Sequence, residues 1–290
     1  MVSRVDLHLH TTVSDGALRP EELVRAASIA GIQVMAVTDH DSVDGIRDAE
    51  RAASDLSIQV IPGIEVSASL DGDDVHVLGY FLDPGDRVLR EALSRLQEGR
   101  VAQARSMVER LAELGWPLDW DRVMAIAQGG SIGRPHIARA LIERGYVGSV
   151  DEAFSRFLRR GGPGYVEGQK LLPQEAVSLI KEAGGVPSLA HPIIVGASDY
   201  RLDLDRLLPV MVEAGLDGIE AYYKGYTPEV TAFLFGLASR YRLVPTGGSD
   251  FHGGGVVADA ELGAVEVPWE TVERLRGRQR RPGCTPDGRR

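Results

Sequence analysis

A single cysteine, Cys284, rules out an internal disulfide, and it lies in a Gly/Pro/Arg-rich tail where no core would need it. Such sparing use of cysteine fits a reducing cytosol. No stretch approaches the length of a membrane span, and no basic segment with an apolar run precedes the first expected strand, so a cytoplasmic location away from membranes is expected. Positive charge is also in deficit. The formal net charge of -10 argues against holding double-stranded DNA by bulk electrostatics, and an anionic ligand would need a local positive site. There is no Gly-rich phosphate loop ending in Lys-Ser/Thr and no Gly-x-Ser-x-Gly elbow, so NTPase and covalent-hydrolase readings lack their residues. At 43% apolar and 26% charged, the composition is that of a globular protein, and 290 residues suffice for a large barrel or two ordinary domains.

What the chain does have begins at Asp6-Leu7-His8-Leu9-His10-Thr11-Thr12-Val13-Ser14-Asp15-Gly16. Val5, Leu7 and Leu9 alternate with Asp6, His8 and His10, so on a strand of period two the polar trio shares one face. Two imidazoles so spaced can grip one metal ion, and the Thr/Ser/Asp/Gly run after them reads as a loop that brings Asp15 to the same spot. An isolated His-x-His is more often a pair of hydrogen-bonded histidines, so the placement of the other histidines decides.

Further along, a helix over 20–30 opens on Pro20 and stops at Gly31. A strand over 34–38 follows, then a helix from an N-cap at Ser42 through 53, and strands over 59–65 and 76–82. This alternation is the signature of parallel βαβ units. It is interrupted by a helix over 86–115 and shorter helices near 121–127, 135–143 and 150–159, closed by Gly161-Gly162-Pro163-Gly164. Alternation resumes with helices over 173–183, 204–214 and 228–241 leading into strands over 186–191, 217–222 and 243–248. A last strand over 264–267 and a short helix from Trp269 complete the pattern. The expectation is an α/β fold with seven barrel strands, with barrel parts at 1–98 and 165–276, an all-helical insertion at 99–164 and a disordered tail at 277–290.

Six of the seven histidines fall at or beside the expected C-terminal edge of a strand or, for His76, at the start of one: His8, His10, His40, His76, His191 and His252. Asp15, Glu65 and Asp250 interleave with them, Glu65 ending the third strand. In a parallel barrel such positions converge on one mouth, whereas chance would scatter them. Imidazole with carboxylate suits Zn, Mn or Fe, and nine candidates exceed the four to six ligands of one ion, so two or three divalent ions are expected. Such a centre polarises a phosphoryl oxygen and activates water for in-line displacement. Without it, the carboxylates would repel an anion.

The segments at 6–16, 37–45, 61–68, 76–79, 189–192 and 247–252, in this order, resemble the PHP family, named for polymerase and histidinol phosphatase domains. The resemblance spans residues 1 to about 270 and implies a distorted (β/α)7, TIM-like barrel with metals at its mouth. It places His8, His10, Glu65 and Asp250 on one metal, and Asp15, His40 and His252 on a second. Glu65 would bridge to a third, shared with His76 and His191. Catalysis is expected to rest on Asp15, His40, Glu65, Asp250 and His252. Asp15 stands where relatives carry a histidine, which favours Mn or Fe over Zn at the second position.

Gly133-Arg134-Pro135-His136-Ile137-Ala138, with Ala153-Phe154 and Gly164-Tyr165-Val166, resembles the bacterial branch that removes the 3'-phosphate of nucleoside 3',5'-bisphosphates and trims 5'-phosphorylated short RNA from its 5' end. In that branch the Arg and His contact substrate phosphate, and here they stand at a helix start, which favours an anion. The alternative is that Arg134 pairs with a neighbouring Glu on the insertion surface. Asp6 and Asp39 either orient ligand histidines, the preferred role, or solvate the site. Lys170 and Tyr165 either touch substrate or lie on a solvated face. The expected function is thus a metal-dependent phosphoesterase acting on a small nucleotide or short RNA. Rival readings are a histidinol-phosphate or generic phosphomonoesterase and, from another class, a nucleotide- or metal-binding module without turnover.

Overall fold

The computed structural model describes residues 4–168, 170–194, 200–253 and 261–279; Cys284 and all of the expected tail beyond 279 lie outside them. The chain begins β1 (Arg4–Asp6), α1 (Pro20–Ile29), β2 (Ile32–Val37), α2 (Ile46–Ala53), β3 (Gln59–Leu70) and β4 (Asp73–Tyr80). Pro20 opens α1, where a missing N–H costs nothing, and Gly31 follows it with φ +81. The helix α2 starts four residues after the expected Ser42 cap. Residues 41–45 turn first, with Asp41 at φ +51 donating its N–H to the Glu65 carbonyl.

β1, β2 and β3 are parallel, but the Asp71-Gly72 turn, with φ +50 and +83, folds β4 back antiparallel on β3. Because β4 runs the other way, its first residues reach the edge where the parallel strands end, and His76 arrives at the mouth. The hairpin also carries β3 on to Leu70, so Glu65 sits mid-strand opposite Leu78, not at a strand end as expected.

Next come α3 (Arg87–Glu113), α4 (Trp120–Ala127), α5 (Arg134–Glu143) and α6 (Val150–Ala153), the last running into a π-helical turn at Phe154–Leu158 where a continuous helix was expected. At 27 residues α3 is about 40 Å long. Leu89 and Leu93 at its start join the barrel core. Met107 and Leu111 at its end join a second core with Val123, Ile137, Leu141 and Phe157. One rigid helix therefore anchors the helical block to the barrel.

The chain then forms α7 (Pro173–Glu182), β5 (Val186–Leu189), the short β6 (Ile193–Ile194) and β7 (Tyr200–Arg201), α8 (Leu204–Glu213), β8 (Gly218–Tyr223), α9 (Pro228–Tyr241), β9 (Val244–Gly248) and α10 (Trp269–Arg276). The main sheet runs β1-β2-β3-β4-β5-β8-β9, with β4 antiparallel to both neighbours. Its edges meet, since Leu7 N–H donates to Gly247 O at 3.3 Å and His10 N–H to Phe251 O at 3.0 Å. Seven strands thus close into a distorted barrel. The expected strand at 264–267 is not one. Ala264 N–H is used in a turn with Glu261 at Gly263, and Pro268 has no N–H to give a ladder, although Val267 is buried on the barrel core.

Closure depends on Gly248. A Cβ there would lie 2.4 Å from His8 N and 2.6 Å from His8 Cβ, and that backbone cannot retreat without opening the seam. Gly248→Ala is expected to lower stability by about 1–3 kcal/mol and to depress metal binding with it. A thermal melt equal to that of the unsubstituted protein would refute the tight seam.

Candidate metal centre

Leu7 and Leu9 are fully buried toward the core, and the alternation they set sends His8 and His10 to the opposite face. There the two rings meet Glu65, the hub of the site. Its Oε2 lies 3.1 Å from His8 Nε2, 3.2 Å from His10 Nε2 and 3.3 Å from His40 Nδ1, and its Oε1 lies 2.8 Å from His76 Nδ1 and 3.0 Å from His191 Nε2. One carboxylate therefore faces five imidazoles delivered by four separate stretches of chain. Asp250, with φ +52, brings Oδ1 within 3.4 Å of His8 Nε2 and 3.2 Å of His10 Nε2. Asp15 lies 3.3 Å from His252 Nε2 and 3.9 Å from His40 Nε2.

Four sets of donor atoms lie within 4.8 Å of one another: His10, Asp15, His40 and His252; His8, Glu65 and His191; His8, His10 and Asp250; His40, Glu65 and His76. All nine expected ligands are thus brought together. The partition differs from the expected one: His10 also joins the Asp15 set, His40 joins the His76 set, His76 and His191 fall in separate sets, and Glu65 groups with each of these rather than with the set of His8, His10 and Asp250. The donors suit divalent cations, because both ring nitrogens of His10, Asp15 Oδ1 and His40 Nδ1 are buried with no hydrogen-bond partner among the described residues. Buried polar atoms left this way call for a water or an ion to complete them.

In the protein without metal, protons on the rings balance the carboxylates. Burial opposes protonation of His10, but its contacts with Asp250 and Glu65 win and push it up to about 10. Burial would likewise raise Glu65 and Asp250, yet the surrounding imidazoles hold both well below the usual carboxylate range. His40 goes the other way, with burial taking it down to about 3, so its ring is neutral and its lone pair available.

The hydrogen bonds of Asp6 and Asp39 go to backbone and hydroxyl groups, not to rings. Asp6 accepts from Ser249 N–H at 2.8 Å and Gly263 N–H at 3.0 Å, fastening the loops at the seam. Asp39 accepts from Thr11 N–H and Thr11 Oγ1, each at 2.7 Å, and from Ser14 Oγ at 2.6 Å, which fixes the loop that presents Asp15. The ring contact falls instead to Glu220 on β8, which sequence reasoning missed. A carboxylate among the apolar residues of an inward strand was the available signal. Also missed was Tyr223, whose hydroxyl donates to Asp250 Oδ2 at 2.7 Å, and Lys224, whose Nζ donates to Asp250 O at 3.1 Å.

Arg134 pairs with Asp74 of β4 at 2.8 Å, not with a glutamate of the helical block, and Lys170 shares the same carboxylate. Burial opposes ionisation of Asp74, but these two cations hold it below the carboxylate range. The rings of Phe154 and Tyr165 flank the Arg134 guanidinium at 5.5 and 5.8 Å. His136 is buried, and its Nδ1 accepts from Gly133 N–H at 3.0 Å. Arg100, on α3, grips the Asp41 carboxylate and donates to Ser67 Oγ at 2.6 Å, bracing the helical block against the mouth.

A closed β/α barrel with a histidine–carboxylate cluster at its mouth suits hydrolysis assisted by divalent metal, and its relatives make this chain a metal-dependent phosphoric ester hydrolase. The chain belongs to the PHP domain family, whose profile matches residues 6–128. It is 35% identical over 250 residues to the 5'-3' exoribonuclease Rnm of Salmonella typhimurium, an alignment covering 85% of this chain and 84% of that protein. It is 34% identical over 256 residues to the 3',5'-nucleoside bisphosphate phosphatase of Chromobacterium violaceum, covering 88% and 89% of the two. A solved structure assigned to a metal-dependent phosphoesterase of Bifidobacterium adolescentis superposes with a TM-score of 0.88 at 30% identity, covering 97% of this chain and 98% of that one.

Proposed function

We propose that this chain hydrolyses phosphate esters of nucleotides, taking nucleoside 3',5'-bisphosphates to 5'-monophosphates, 5'-phosphorylated short oligoribonucleotides, or both. In this reading His8, His10, Asp15, His40, Glu65, His76, His191, Asp250 and His252 hold two or three divalent ions, Mn or Fe in preference to Zn where Asp15 contributes. When bound, such ions polarise the phosphoryl group and lower the pKa of water. Asp15, Glu65 and Asp250 offset their charge, and the helical block, residues 99–164, grips the phosphate that is not cleaved.

The observation that carries this reading is the pairing of Arg134 and Lys170 on Asp74. Asp74 precedes His76 by two residues on one strand, so they share a face and lie about 7 Å apart along it. A pair of cations beside the cluster suits a second phosphate on the same small molecule. His136 adds a donor. With Nδ1 accepting from Gly133, the proton resides on Nε2, and burial, which lowers its pKa, keeps the ring neutral.

The test is hydrolysis with Mn supplied, followed in parallel as phosphate release from adenosine 3',5'-bisphosphate, AMP and histidinol phosphate and as release of 5'-mononucleotide from a 5'-phosphorylated oligoribonucleotide. The bisphosphate or the oligonucleotide should exceed AMP and histidinol phosphate in kcat/KM by at least about tenfold, the worth of one charge-assisted contact. Preference for histidinol phosphate would refute the nucleotide reading while leaving the phosphoesterase class intact.

A further inference from the structure

Glu220 lies in the middle of β8 between the buried Ile219 and Ala221 and is itself fully buried. A carboxylate in such a place is costly unless both oxygens are used. Both are. Oε1 lies 3.1 Å from His8 Nδ1, and Oε2 accepts from the His191 N–H at 2.7 Å. The two histidines come from opposite sides of the barrel, after β1 and after β5. The His191 backbone, at φ +20, is in a conformation that L residues rarely adopt and that this bond helps to hold.

We propose that Glu220 is a positioning residue that sets the ring tautomer of His8 and locks it to the His191 turn, so that both rings are aimed at the cluster before metal arrives. This rests on the proposed assignment of His8 as a metal ligand. A carboxylate oxygen can only accept, so the proton of the His8 ring sits on Nδ1. Nε2 faces Glu65 Oε2 and Asp250 Oδ1, so when a cation takes the place of its proton there the lone pair is left on Nε2 while Nδ1 keeps its proton toward Glu220. His252 meets the same need with a backbone carbonyl, its Nδ1 lying 3.0 Å from Asp250 O. A carboxylate is the stronger acceptor and makes the ring more basic toward metal.

Glu220→Gln keeps the shape but offers one acceptor and one donor. If its oxygen serves His191 N–H, its NH2 faces His8 Nδ1 and drives the ring proton to Nε2, where ligation is blocked. If it flips, the NH2 opposes the His191 N–H, donor against donor. Either way one of the two contacts is lost.

Three readouts test this. In the unsubstituted, Zn-loaded protein, long-range 1H–15N NMR should show His8 protonated at Nδ1; protonation at Nε2 would overturn the proposal, and this reading needs no variant to fold. Competitive chelator titration with Zn should show Glu220→Gln weakening affinity by about tenfold to a hundredfold, with the thermal melt of the metal-free protein showing that the variant is folded. Unchanged affinity would overturn it. In a His8→Gln background the further Glu220→Gln change should cost less than about twofold, as expected when one residue acts through the other; a full penalty there would overturn the tautomer role. His8→Gln with unchanged Zn affinity would remove the ligand assignment itself, and the role of Glu220 with it.

Discussion

Glu65→Gln should lower kcat by about a thousandfold or more, taking several kcal/mol of charge stabilisation at roughly 1.4 kcal/mol per tenfold. The substitution changes little in volume but much in chemistry. Oε1 and Oε2 between them face His8, His10, His40, His76 and His191 at 2.8–3.3 Å. An amide carries no charge and turns an NH2 toward lone pairs that would hold a cation, so the ligand role proposed for Glu65 would be lost. The loss should fall on kcat more than on KM, because the charge that metals stabilise develops in the transition state. His40→Ala, Asp250→Ala and His252→Ala should follow in the same sense. Steady-state kinetics under limiting Mn, with bound metal measured in the same samples, checks this. Retention of kcat within tenfold by Glu65→Gln would take Glu65 out of the centre of the chemistry.

Arg134→Ala should raise KM for the bisphosphate, with a loss in kcat/KM of about tenfold to more than a hundredfold, since a charge-assisted contact is worth about 1.5–3 kcal/mol. In the proposed role the guanidinium holds the phosphate that is not cleaved, and so would bind ground and transition states alike. A simple monophosphate such as p-nitrophenyl phosphate has no second phosphate to lose, and its hydrolysis should change little. Asp74 keeps Lys170 as a partner in the variant, so the fold at β4 is retained. Arg134→Lys should recover only part of the loss, because a point charge replaces a planar fork. Equal losses on both substrates would put Arg134 at the reacting phosphate, and no loss on either would make it a structural partner of Asp74 alone.

The elements that could be read from sequence are those fixed by local chemistry. Pro20, Gly31 and the apolar runs around Val34 and Val244 announce helices and strands by themselves, and the six histidines converge, although His76 lies within β4 and not at the start of a strand as expected. Residues that matter through a distant partner were harder to see. Glu220 is one glutamate in an apolar strand until the fold sets it 3.1 Å from a ring 212 residues away. Asp74 resembles any acidic turn residue until β4 folds back and two cations close on it. Asp6 and Asp39 adjoin the key motifs, which suggested contact with the rings, yet their oxygens are taken by nearer backbone N–H and hydroxyl donors. Val265 and Val267 had the apolar character of a strand, but only pairing makes one, and the turn at Gly263 and Pro268 leaves no ladder to join.

The most direct test is to strip the protein of metal with a chelator, confirm by circular dichroism that the barrel remains, and follow phosphate release from adenosine 3',5'-bisphosphate as Mn is returned. Activity should be absent in the stripped, folded protein and rise in step with bound metal. Full activity in metal-free protein would contradict a metal-dependent hydrolysis at this cluster.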